Sequence, residues 1–325
     1  MNGKGLTVRP LAVGEMEAYD RLAGEYGCFF DSIKWTNLFE PGILRLGIYD
    51  GGDNLRGGFC LYEERRFGLR VLRNPPFMPQ VGPFFQQRAT NPAARTNEQR
   101  AVVEAMAAYL DGSGAAVISL GLSLGVNDCL PFYWRGFKVI PHYTYRIDLK
   151  LGGDELLAAM SVDRRNDIRK AQKDGVAADE VLETGELRSL VLETFARKDK
   201  AFPREAMYSI LQRFPPGNSS LCFISRNQGR PLAAVYVVFD SRVAYYLMGG
   251  YGEGAHHGAG TLAIHNAVLK AKVLGLEVFD FEGSIIPPIE RYFRGFGGRL
   301  TSYFTVNKAW LPLEMALKLV RRPMF

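Results

Sequence analysis

Hydrophobic and polar positions follow the same order in the two halves of the chain. Near Gly57 three apolar runs, rich in β-branched and aromatic residues, are separated by a Gly/Asp/Asn turn and a basic turn. Near Leu232 three further runs repeat this order of strand, turn, strand, turn and strand. Such runs between glycine-containing turns are typical of antiparallel β-meanders. We therefore predict one meander in each half of the chain.

The elements that follow each predicted meander also correspond. A helix is predicted at 98–110 in the first half and at 260–274 in the second, because apolar residues recur there at helical spacing. Each helix is followed by a short apolar strand, then by an aromatic-Arg-Gly-Phe segment, and then by a closing strand. The predicted short strands are 115–122 and 277–281, the aromatic segments are 132–137 and 291–296, and the closing strands are 143–149 and 302–307.

This shared order indicates an internal duplication, because a single matching motif arises easily by chance but a matching series of elements does not. Strands and helices mixed in this way predict an α/β fold with mixed sheets, of the α+β type. The glycine-containing stretch 148–154 is the predicted boundary. It separates a first domain at 1–150 from a second domain at 151–325.

The composition limits the class of protein. With 47% apolar and 12% aromatic residues, the 325-residue chain has enough core-forming side chains to be globular. Four cysteines lie far apart, without metal-binding or redox spacing, so we expect reduced thiols in a cytoplasmic protein. Residues 1–10 lack the apolar core of a signal peptide, and no apolar stretch is long enough to span a membrane. The net charge of +6 suits an anionic substrate but is too small to indicate a nucleic-acid-binding protein.

A basic helix is predicted after the boundary. Ser161 is a suitable N-cap, Gly175 ends the helix, and Val162, Ile168 and Ala171 are its apolar positions. The charged remainder has two interpretations, which are a solvated surface with ion pairs and a surface that binds an anionic group. The candidate anion-binding side chains are Arg164, Arg165 and Arg169.

A glycine-rich stretch, 249–261, lies between a predicted strand and a predicted helix. Backbone amides at a helix N-terminus bind phosphate or stabilise an oxyanion, and glycine permits close approach. The same composition is also typical of a flexible connection. His256 and His257 are candidate bases, but adjacent side chains point differently and neither has a visible carboxylate partner. We expect no metal site, because no acidic or thiol ligand accompanies them at suitable spacing.

Two carboxylates occur on the next predicted strand. In an extended strand Asp280 and Glu282 face one side and the flanking phenylalanines face the other. Such a pair can take a proton from an attacking amine, while Tyr292 and Arg294 can donate hydrogen bonds to a reacting carbonyl. In the alternative interpretation, one carboxylate pairs with Arg291 or Arg294.

Several of these segments resemble signatures of the FemAB/FemX family of peptidoglycan interpeptide-bridge aminoacyltransferases, within the GNAT acyltransferase superfamily. Arg165-Asn-Asp-Ile-Arg-Lys-Ala171 is similar to the family's Arg-x-x-Ile-Arg-Lys-Ala signature. Asp280-Phe-Glu-Gly283 and Phe293-Arg-Gly-Phe-Gly-Gly298 are similar to its Asp-Phe-x-Gly strand and its Phe-Lys-x-Phe-Gly-Gly segment. The resemblance implies two tandem GNAT-like folds. It also implies transfer of an activated acyl or aminoacyl group onto an amine of a phosphorylated, cell-wall-precursor-like acceptor.

The resemblance extends to individual positions. Because only the second aromatic segment follows acidic residues, the second domain is expected to be catalytic and donor-binding, and the first to be a scaffold and acceptor wall. The basic helix is expected to face a sugar-nucleotide diphosphate, with Arg165 and Arg169 one turn apart on one face. Lys34 and Trp35 are expected at the acceptor cleft with the proline-rich loop 73–83, for which a packed crossing loop is the alternative. The expected donor-binding residues are Gly254, His256, His257, Gly258 and Gly260.

The chain also departs from these families. Many GNAT enzymes begin the pyrophosphate-binding loop with glutamine or arginine, where this chain has Ala255, and the closing lysine of the FemX-like pattern is Arg294. No segment has the heptads of a tRNA-binding helical hairpin. The donor therefore stays open between acyl-CoA and aminoacyl-tRNA. The alternative functions are an acyl-CoA-dependent N-acetyltransferase acting on another small amine and a non-catalytic ligand-binding relative.

The segment 310–325 is both apolar and basic. It suits contact with an anionic membrane surface, which would fit a lipid-linked acceptor and a membrane-peripheral location. The alternative is a C-terminal helix that packs on its own domain.

Overall fold

The computed structural model describes residues 5–197 and 202–321. The chain divides into two compact units, unit 1 (1–142 and 302–325) and unit 2 (143–301). The strands, numbered along the chain, are β1 Thr7–Pro10, β2 Ile43–Tyr49, β3 Leu55–Arg66, β4 Leu69–Arg73, β5 Phe84–Phe85, β6 Val117–Gly121, β7 Lys138–Asp148, β8 Ala177–Glu180, β9 Ser220–Asn227, β10 Arg230–Phe239, β11 Val243–Tyr251, β12 Val278–Asp280 and β13 Arg299–Ala309. The helices are α1 Met16–Tyr26, α2 Ile33–Thr36, α3 Pro92–Asp111, α4 Leu130–Trp134, α5 Gly153–Ala159, α6 Val162–Lys173, α7 Gly185–Arg197, α8 Arg204–Arg213, α9 Ala259–Val273, α10 Pro287–Arg294 and α11 Leu311–Arg321.

Unit 1 is built on a mixed sheet in the order β1-β2-β3-β4-β6-β13, and β5 pairs with β3. Neighbouring strands are antiparallel except β4 and β6, which are parallel. Strands β2, β3 and β4 form the predicted first meander. Helix α1 packs on β3, and its Tyr19 meets Phe84 edge to face with ring centres 5.0 Å apart.

Unit 2 is built on a second mixed sheet in the order β7-β12-β11-β10-β9-β8. Its strands are antiparallel except β11 and β12, which are parallel. Helix α9 packs on β9 and β10, and α7 packs on β10 and β11. Residues 221–224 and 233–238 are buried without interruption, which explains why these strands read as continuous apolar runs.

The two sheets correspond position by position. Each has three antiparallel strands of a meander, then a parallel neighbour after a long helix, then an antiparallel closing strand. The predicted α/β fold with mixed sheets is confirmed, and so are both meanders. Helix α3 begins earlier than predicted, because Asn91 caps it by accepting a 2.8 Å hydrogen bond from the amide of Ala94 and Pro92 follows.

The closing strands belong to different units than the predicted boundary implies. Strand β7, which follows the first aromatic segment, pairs with β12 of unit 2, where Asp148 lies opposite Val278. Strand β13, which follows the second aromatic segment, pairs with β6 of unit 1, where Ala309 lies opposite Val117. The units therefore differ from the predicted domains 1–150 and 151–325. Each closing strand thus pairs in the other unit, which we call the exchange of the closing strands. The residue pattern of a strand does not identify the strand that it pairs with, so the sequence gives no local signal of this exchange.

A substitution at Gly250 of β11 tests how closely α7 packs on the sheet of unit 2. A Cβ at Gly250 would lie 2.3 Å from the carbonyl carbon of Leu190 and 2.4 Å from the amide nitrogen of Val191. Because these are backbone atoms, we expect Gly250→Ala to lower the free energy of unfolding by about 2 kcal/mol or more. Gly153→Ala is the matched control, since a Cβ there meets nothing within 4 Å, and its stability should be unchanged or slightly raised. Chemical denaturation of both variants measures the difference, and equal stabilities would contradict the close packing.

Candidate active site

The parallel strands of unit 2 pair over a short length. Three residues at the start of β11 lie opposite the three residues of β12, and the last pair is Tyr245 with Asp280. β11 then continues to Tyr251, with Leu247 as an extra residue in its pairing with β10. Such a bulge bends a strand and increases its twist. Beyond Tyr245, no strand of the described residues pairs with the β12 side of β11. The amide and carbonyl of Tyr251 at the end of β11 bond to Thr194 of α7, so the backbone groups that this edge can offer to a ligand lie between Tyr245 and Tyr251.

In unit 1 the corresponding place is covered by the proline-rich loop. The chain leaves β4 after Arg73, and Asn74 Oδ1 accepts a 2.9 Å hydrogen bond from the amide of Gly121 at the end of β6. The amide of Val81 donates to the carbonyl of Gly121 at 2.8 Å. A Cβ at Gly121 would lie 2.1 Å from the carbonyl oxygen of Pro79. The loop is therefore a packed crossing loop, and the open strand edge is a property of unit 2.

The two predicted carboxylates lie where β12 ends, but they do not share a strand face. Asp280 is the last residue of the strand, whereas Glu282 has a left-handed φ of 56° and Gly283 a φ of 78°. A Cβ at Gly283 would lie 2.0 Å from the carbonyl oxygen of Tyr143, so the turn runs directly against β7. The prediction of one shared face is wrong, because the chain leaves the sheet before Glu282.

Asp280 is almost fully buried and has three partners. Its Oδ1 accepts hydrogen bonds from Thr144 Oγ1 at 2.6 Å and from the amide of Glu282 at 2.8 Å. Its Oδ2 lies 3.1 Å from Arg146 Nε, so the alternative pairing with Arg291 or Arg294 is wrong for this carboxylate. Burial raises the pKa of Asp280, although the Thr144 hydroxyl and the Arg146 guanidinium act against that rise. Asp280 thus holds the turn that positions Glu282.

Glu282 lacks comparable partners. Its Oε1 is shielded from solvent and has no hydrogen-bond partner among the described residues, although the residue as a whole is partly exposed. Burial, and secondly the charge of Asp280, raise the pKa of the Glu282 carboxyl well above its usual range. A shielded oxygen without a partner costs free energy. The group is therefore suited to receive a proton or a cationic ligand.

Four side chains at the first turn of α9 form a series of polar contacts that we call the hydroxyl chain. Tyr251 OH donates to Tyr292 OH at 2.9 Å, and Tyr292 OH lies 3.3 Å from Thr261 Oγ1. Thr261 Oγ1 donates to Asp167 Oδ2 at 3.4 Å. Burial raises the pKa of both tyrosines, most strongly that of Tyr251. Both phenols therefore stay protonated at neutral pH.

Charged groups surround the Asp167 end of the hydroxyl chain. Arg164 Nη2 lies 3.0 Å from Asp167 Oδ2, and the Arg164 guanidinium lies 4.7 Å from the ring centre of Tyr292. His257 Nε2 lies 3.4 Å from Asp167 Oδ1, and His256 Nε2 lies 3.1 Å from Asp174 Oδ2. The expectation that the histidines lack carboxylate partners is therefore wrong. Both partners come from α6 and the turn that ends it, which are distant in sequence.

Packing contacts account for several residues of the second aromatic segment. Phe293 and Phe296 pack on Phe281, with ring centres 4.8 and 5.2 Å apart, and so fix α10 behind the end of β12. Gly295 leaves room for Arg164, whose Cγ would lie 2.8 Å from a Cβ at that position. This placement of α10 lets Tyr292 contact Tyr251 and Thr261 within the hydroxyl chain. In the first aromatic segment the corresponding Tyr133 is 67% exposed.

Two glycines of the glycine-rich stretch are explained by packing. A Cβ at Gly258 would lie 2.3 Å from the carbonyl oxygen of Asp167, so α6 lies directly on the start of α9. A Cβ at Gly260 would lie 1.8 Å from Tyr251 OH. Gly254 is exposed and has a left-handed φ of 63°. Donor binding by these positions stays a prediction.

The remaining predicted residues lie outside the hydroxyl chain. Arg165 Nη1 donates to the carbonyl of Ala158 at 2.9 Å, and the exposed Arg169 donates to Asn166 at 3.2 Å. Arg294 is exposed, and its Nε lies 3.5 Å from Glu290. Glu290 also accepts a 2.5 Å hydrogen bond from Tyr145, and burial together with this bond raises the pKa of Tyr145 to about 12.

In unit 1, Lys34 is exposed, whereas Trp35 is fully buried among Phe29, Phe30 and Phe39. The expected place of Trp35 at an acceptor cleft is wrong, because aromatic packing inside unit 1 encloses the indole ring. Lys34 keeps an accessible side chain, and its expected role stays a prediction.

Three members of the hydroxyl chain were not predicted from the sequence. Asp167 is three residues from Arg164 and one residue before Ile168, so Arg164, Asp167, Ile168 and Ala171 share one helical face. This spacing marks Asp167 as the one acid of the basic helix that faces inward. Thr261 and Tyr251 flank the glycine-rich stretch, but their sequence positions do not show that their hydroxyls converge.

The described residues contain no group of three or more His, Cys, Asp or Glu side chains placed to hold a metal ion. None of the four cysteines forms a disulfide; Cys60 and Cys222 are buried, and Cys28 and Cys129 are partly buried. None of the described helices is both long enough and apolar enough to cross a membrane.

Comparisons with known proteins agree with this geometry. Residues 162–294 match the acetyltransferase (GNAT) domain family, and no curated protein matches the sequence of the chain. The structure is similar to FemX, with 12% identity over 96% of this chain and 99% of that chain and a TM-score of 0.67. It is similar to L-PGS from Bacillus licheniformis, with 11% identity over 97% and 98% and a TM-score of 0.56. It is also similar to a tandem GNAT protein from the clavulanic acid biosynthesis pathway, with 12% identity over 93% and 98% and a TM-score of 0.54.

These findings confirm the resemblance to FemX-like proteins of the GNAT superfamily and the tandem GNAT-like fold. The matched domain begins with α6 and ends with α10, so it contains Asp280, Glu282 and the whole hydroxyl chain. The prediction of an acyltransferase is confirmed by the GNAT domain.

Replacing Thr261 by valine tests the hydroxyl chain. Thr261→Val keeps the side-chain volume but removes the hydroxyl between Tyr292 and Asp167. We expect the free energy of unfolding to fall by about 1–3 kcal/mol, because Tyr292, Asp167 and Arg164 each lose a polar contact. Thr261→Ser keeps the hydroxyl and should retain most of the stability. Denaturant unfolding measures both variants, and a valine variant as stable as the wild type would exclude a structural role for this contact.

The raised pKa of Glu282 predicts how stability depends on pH. The folded state holds a proton that the unfolded state releases above the ordinary pKa of glutamate. Wild-type stability should therefore fall as pH rises from that value toward the raised folded-state pKa, and Glu282→Gln should remove this loss. Denaturation over a pH series measures the difference between the two proteins.

Glu183→Gln, at an exposed glutamate of unit 2, is the control and should follow the wild-type pH dependence. If Glu282→Gln also followed the wild type at every pH, the raised pKa of Glu282 would be wrong.

Proposed function

We propose that unit 2 transfers an activated acyl or aminoacyl group onto an amine of a phosphorylated, cell-wall-precursor-like acceptor. One observation carries the proposal: Glu282 has a shielded, unpartnered carboxyl oxygen and follows the end of β12, whose neighbour β11 has an open edge. The residue as a whole is partly exposed, so an acceptor amine can approach its carboxyl group and supply a partner there. The open edge suits the polar backbone-like groups of an extended donor.

Glu282 is the proposed base. In the free protein the raised pKa favours the protonated carboxyl, and pairing with a cationic acceptor amine favours the ionised form, with release of the proton to solvent. The resulting carboxylate is a stronger base than that of an ordinary glutamate. It takes the proton that the acceptor nitrogen loses as this nitrogen attacks the donor carbonyl carbon. The new C–N bond forms, and the bond from the carbonyl carbon to the leaving oxygen or sulfur breaks. Asp280 and Gly283 act indirectly, by holding the turn that presents Glu282.

Tyr292 is the proposed acid for the leaving group. Its hydroxyl is protonated because burial raises its pKa, and it can donate this proton to the departing oxygen or sulfur. Tyr251 donates a hydrogen bond to the Tyr292 oxygen, and the Arg164 guanidinium lies over the Tyr292 ring. Both interactions favour the negative charge that develops on Tyr292 during the transfer.

The first turn of α9 favours an aminoacyl ester over acyl-CoA as the donor. A diphosphate bound at this helix N-terminus would compete with the carboxylate of Asp167, which already contacts Thr261 there. Gly258 is also covered by the backbone of α6. An aminoacyl-tRNA carries no diphosphate beside its reacting ester and avoids this competition. The exposed Arg169 and the partly exposed Arg165 are the proposed contacts to phosphate groups of the acceptor.

Transfer can be measured on a nucleotide-linked muramoyl peptide. The purified protein is incubated with this acceptor and with either charged tRNA or acetyl-CoA, and mass spectrometry detects the added group. We expect one aminoacyl group from charged tRNA. Glu282→Gln and Tyr292→Phe should each lower the initial rate by roughly a hundredfold or more, which is the usual contribution of a general base or acid.

Tyr133→Phe is the matched control, because Tyr133 occupies the same position in the first aromatic segment but is exposed. Its rate should equal the wild-type rate. Addition of an acetyl group only would favour the acyl-CoA-dependent alternative. Acceptor binding without transfer from either donor would favour the non-catalytic alternative and overturn the proposal.

A further inference from the structure

Helix α11 of unit 1 carries an exposed apolar stripe. Leu311, Met315 and Leu319 are 71%, 65% and 88% exposed, and their spacing of four residues places them along one helical face. Trp310, directly before the helix, is 63% exposed. Its amide donates a 2.9 Å hydrogen bond to the carbonyl of Ala116, which ties the start of the helix to the sheet. We call Leu311, Met315 and Leu319 the outer stripe.

A second face of the same helix is also apolar. Leu313 and Leu317 are partly buried, whereas the outer stripe is exposed. A helix that only packs on its own domain normally presents polar residues to solvent. Packing among the described residues of unit 1 therefore does not account for the outer stripe. The two interpretations of segment 310–325 are compatible, because one face can pack on the unit while the other contacts a partner.

The charge around the outer stripe indicates the chemistry of that partner. Lys318 is exposed and projects beside the stripe, and Arg321 and Arg322 follow it in the sequence. Residues 310–325 contain these three basic residues and one acidic residue, Glu314, which pairs with Lys318 at 2.7 Å. A second copy of the chain would bring this basic excess against itself. An anionic lipid surface is complementary to both the apolar and the basic side chains.

We propose that α11 binds the surface of an anionic phospholipid membrane. The outer stripe and Trp310 enter the boundary between headgroups and acyl chains, and Lys318 contacts lipid phosphates. The positive charges of the basic residues that follow in the sequence add to the attraction. The helix lies in the membrane plane, since it is too short to span the hydrocarbon core. The proposal does not depend on acyl transfer, and it would hold for a binding protein with the same fold.

Co-sedimentation with lipid vesicles tests the proposal directly. The full chain should bind vesicles of mixed phosphatidylglycerol and phosphatidylcholine, and bind vesicles of phosphatidylcholine alone much more weakly. The combined variant Leu311→Gln, Met315→Gln and Leu319→Gln should lower the partition coefficient roughly ten- to a hundredfold, because three apolar side chains no longer enter the interface. Glutamine keeps the helix propensity high, so far-UV circular dichroism should be unchanged.

The matched control removes three exposed apolar side chains elsewhere. Val13→Gln, Phe67→Gln and Val273→Gln together change positions that are 87%, 104% and 80% exposed, and this variant should bind vesicles as the wild type does. Equal losses in both variants, or no vesicle binding by the wild type, would overturn the proposal. So would a light-scattering mass that shows a wild-type dimer and a monomer for the stripe variant, because a second copy would then be the partner.

Discussion

The buried carboxylate of Asp167 is the group on which the candidate site of unit 2 depends. It meets Arg164 within α6, Thr261 at the first turn of α9, and His257 in the glycine-rich stretch. A buried charge is tolerated only when other groups compensate it, so these contacts specify how α6 lies on α9. The absence of a side chain at Gly258 allows the two backbones to approach. The basic helix is therefore not only a solvated surface. Through Arg164 and Asp167, its inner face contacts the hydroxyl chain that includes Tyr292.

The duplicated fold has produced two different edges from the same order of elements. In unit 2 a bulged β11 runs past a short β12, and a turn at Glu282 leaves the sheet there. In unit 1 the chain leaves β4 early, and the proline-rich loop bonds to the end of β6. The two aromatic segments also differ in the environment of their tyrosines. Tyr292 belongs to the hydroxyl chain, whereas Tyr133 is exposed to solvent. The chemistry proposed for this chain follows from that difference rather than from the duplication itself.

Local sequence patterns predicted most of the strands and helices. They could not predict contacts between residues that are far apart in the sequence. The meanders, α6 with its Ser161 cap, and the position of α9 follow from periodicity and capping within a few residues. The path after Asp280 could not be read from alternation, because a left-handed residue ends the strand inside an apparently regular pattern. The partners of Asp280 and the histidines come from β7 and α6, which no spacing rule connects to them. Asp167 was within reach, since it shares the helical face of Ile168 and Ala171.

The exchange of the closing strands makes the duplicated halves unable to serve as separate modules. The strand that completes the first sheet is encoded after the second aromatic segment, and the strand that completes the second sheet is encoded after the first. A gene cut at the midpoint would therefore separate each sheet from its own last strand, although both pieces would look complete by their order of elements. Neither half can be inherited, lost or shuffled alone without uncovering the buried strand beside the gap. Both halves of the repeat must therefore stay in one chain for each sheet to have its closing strand.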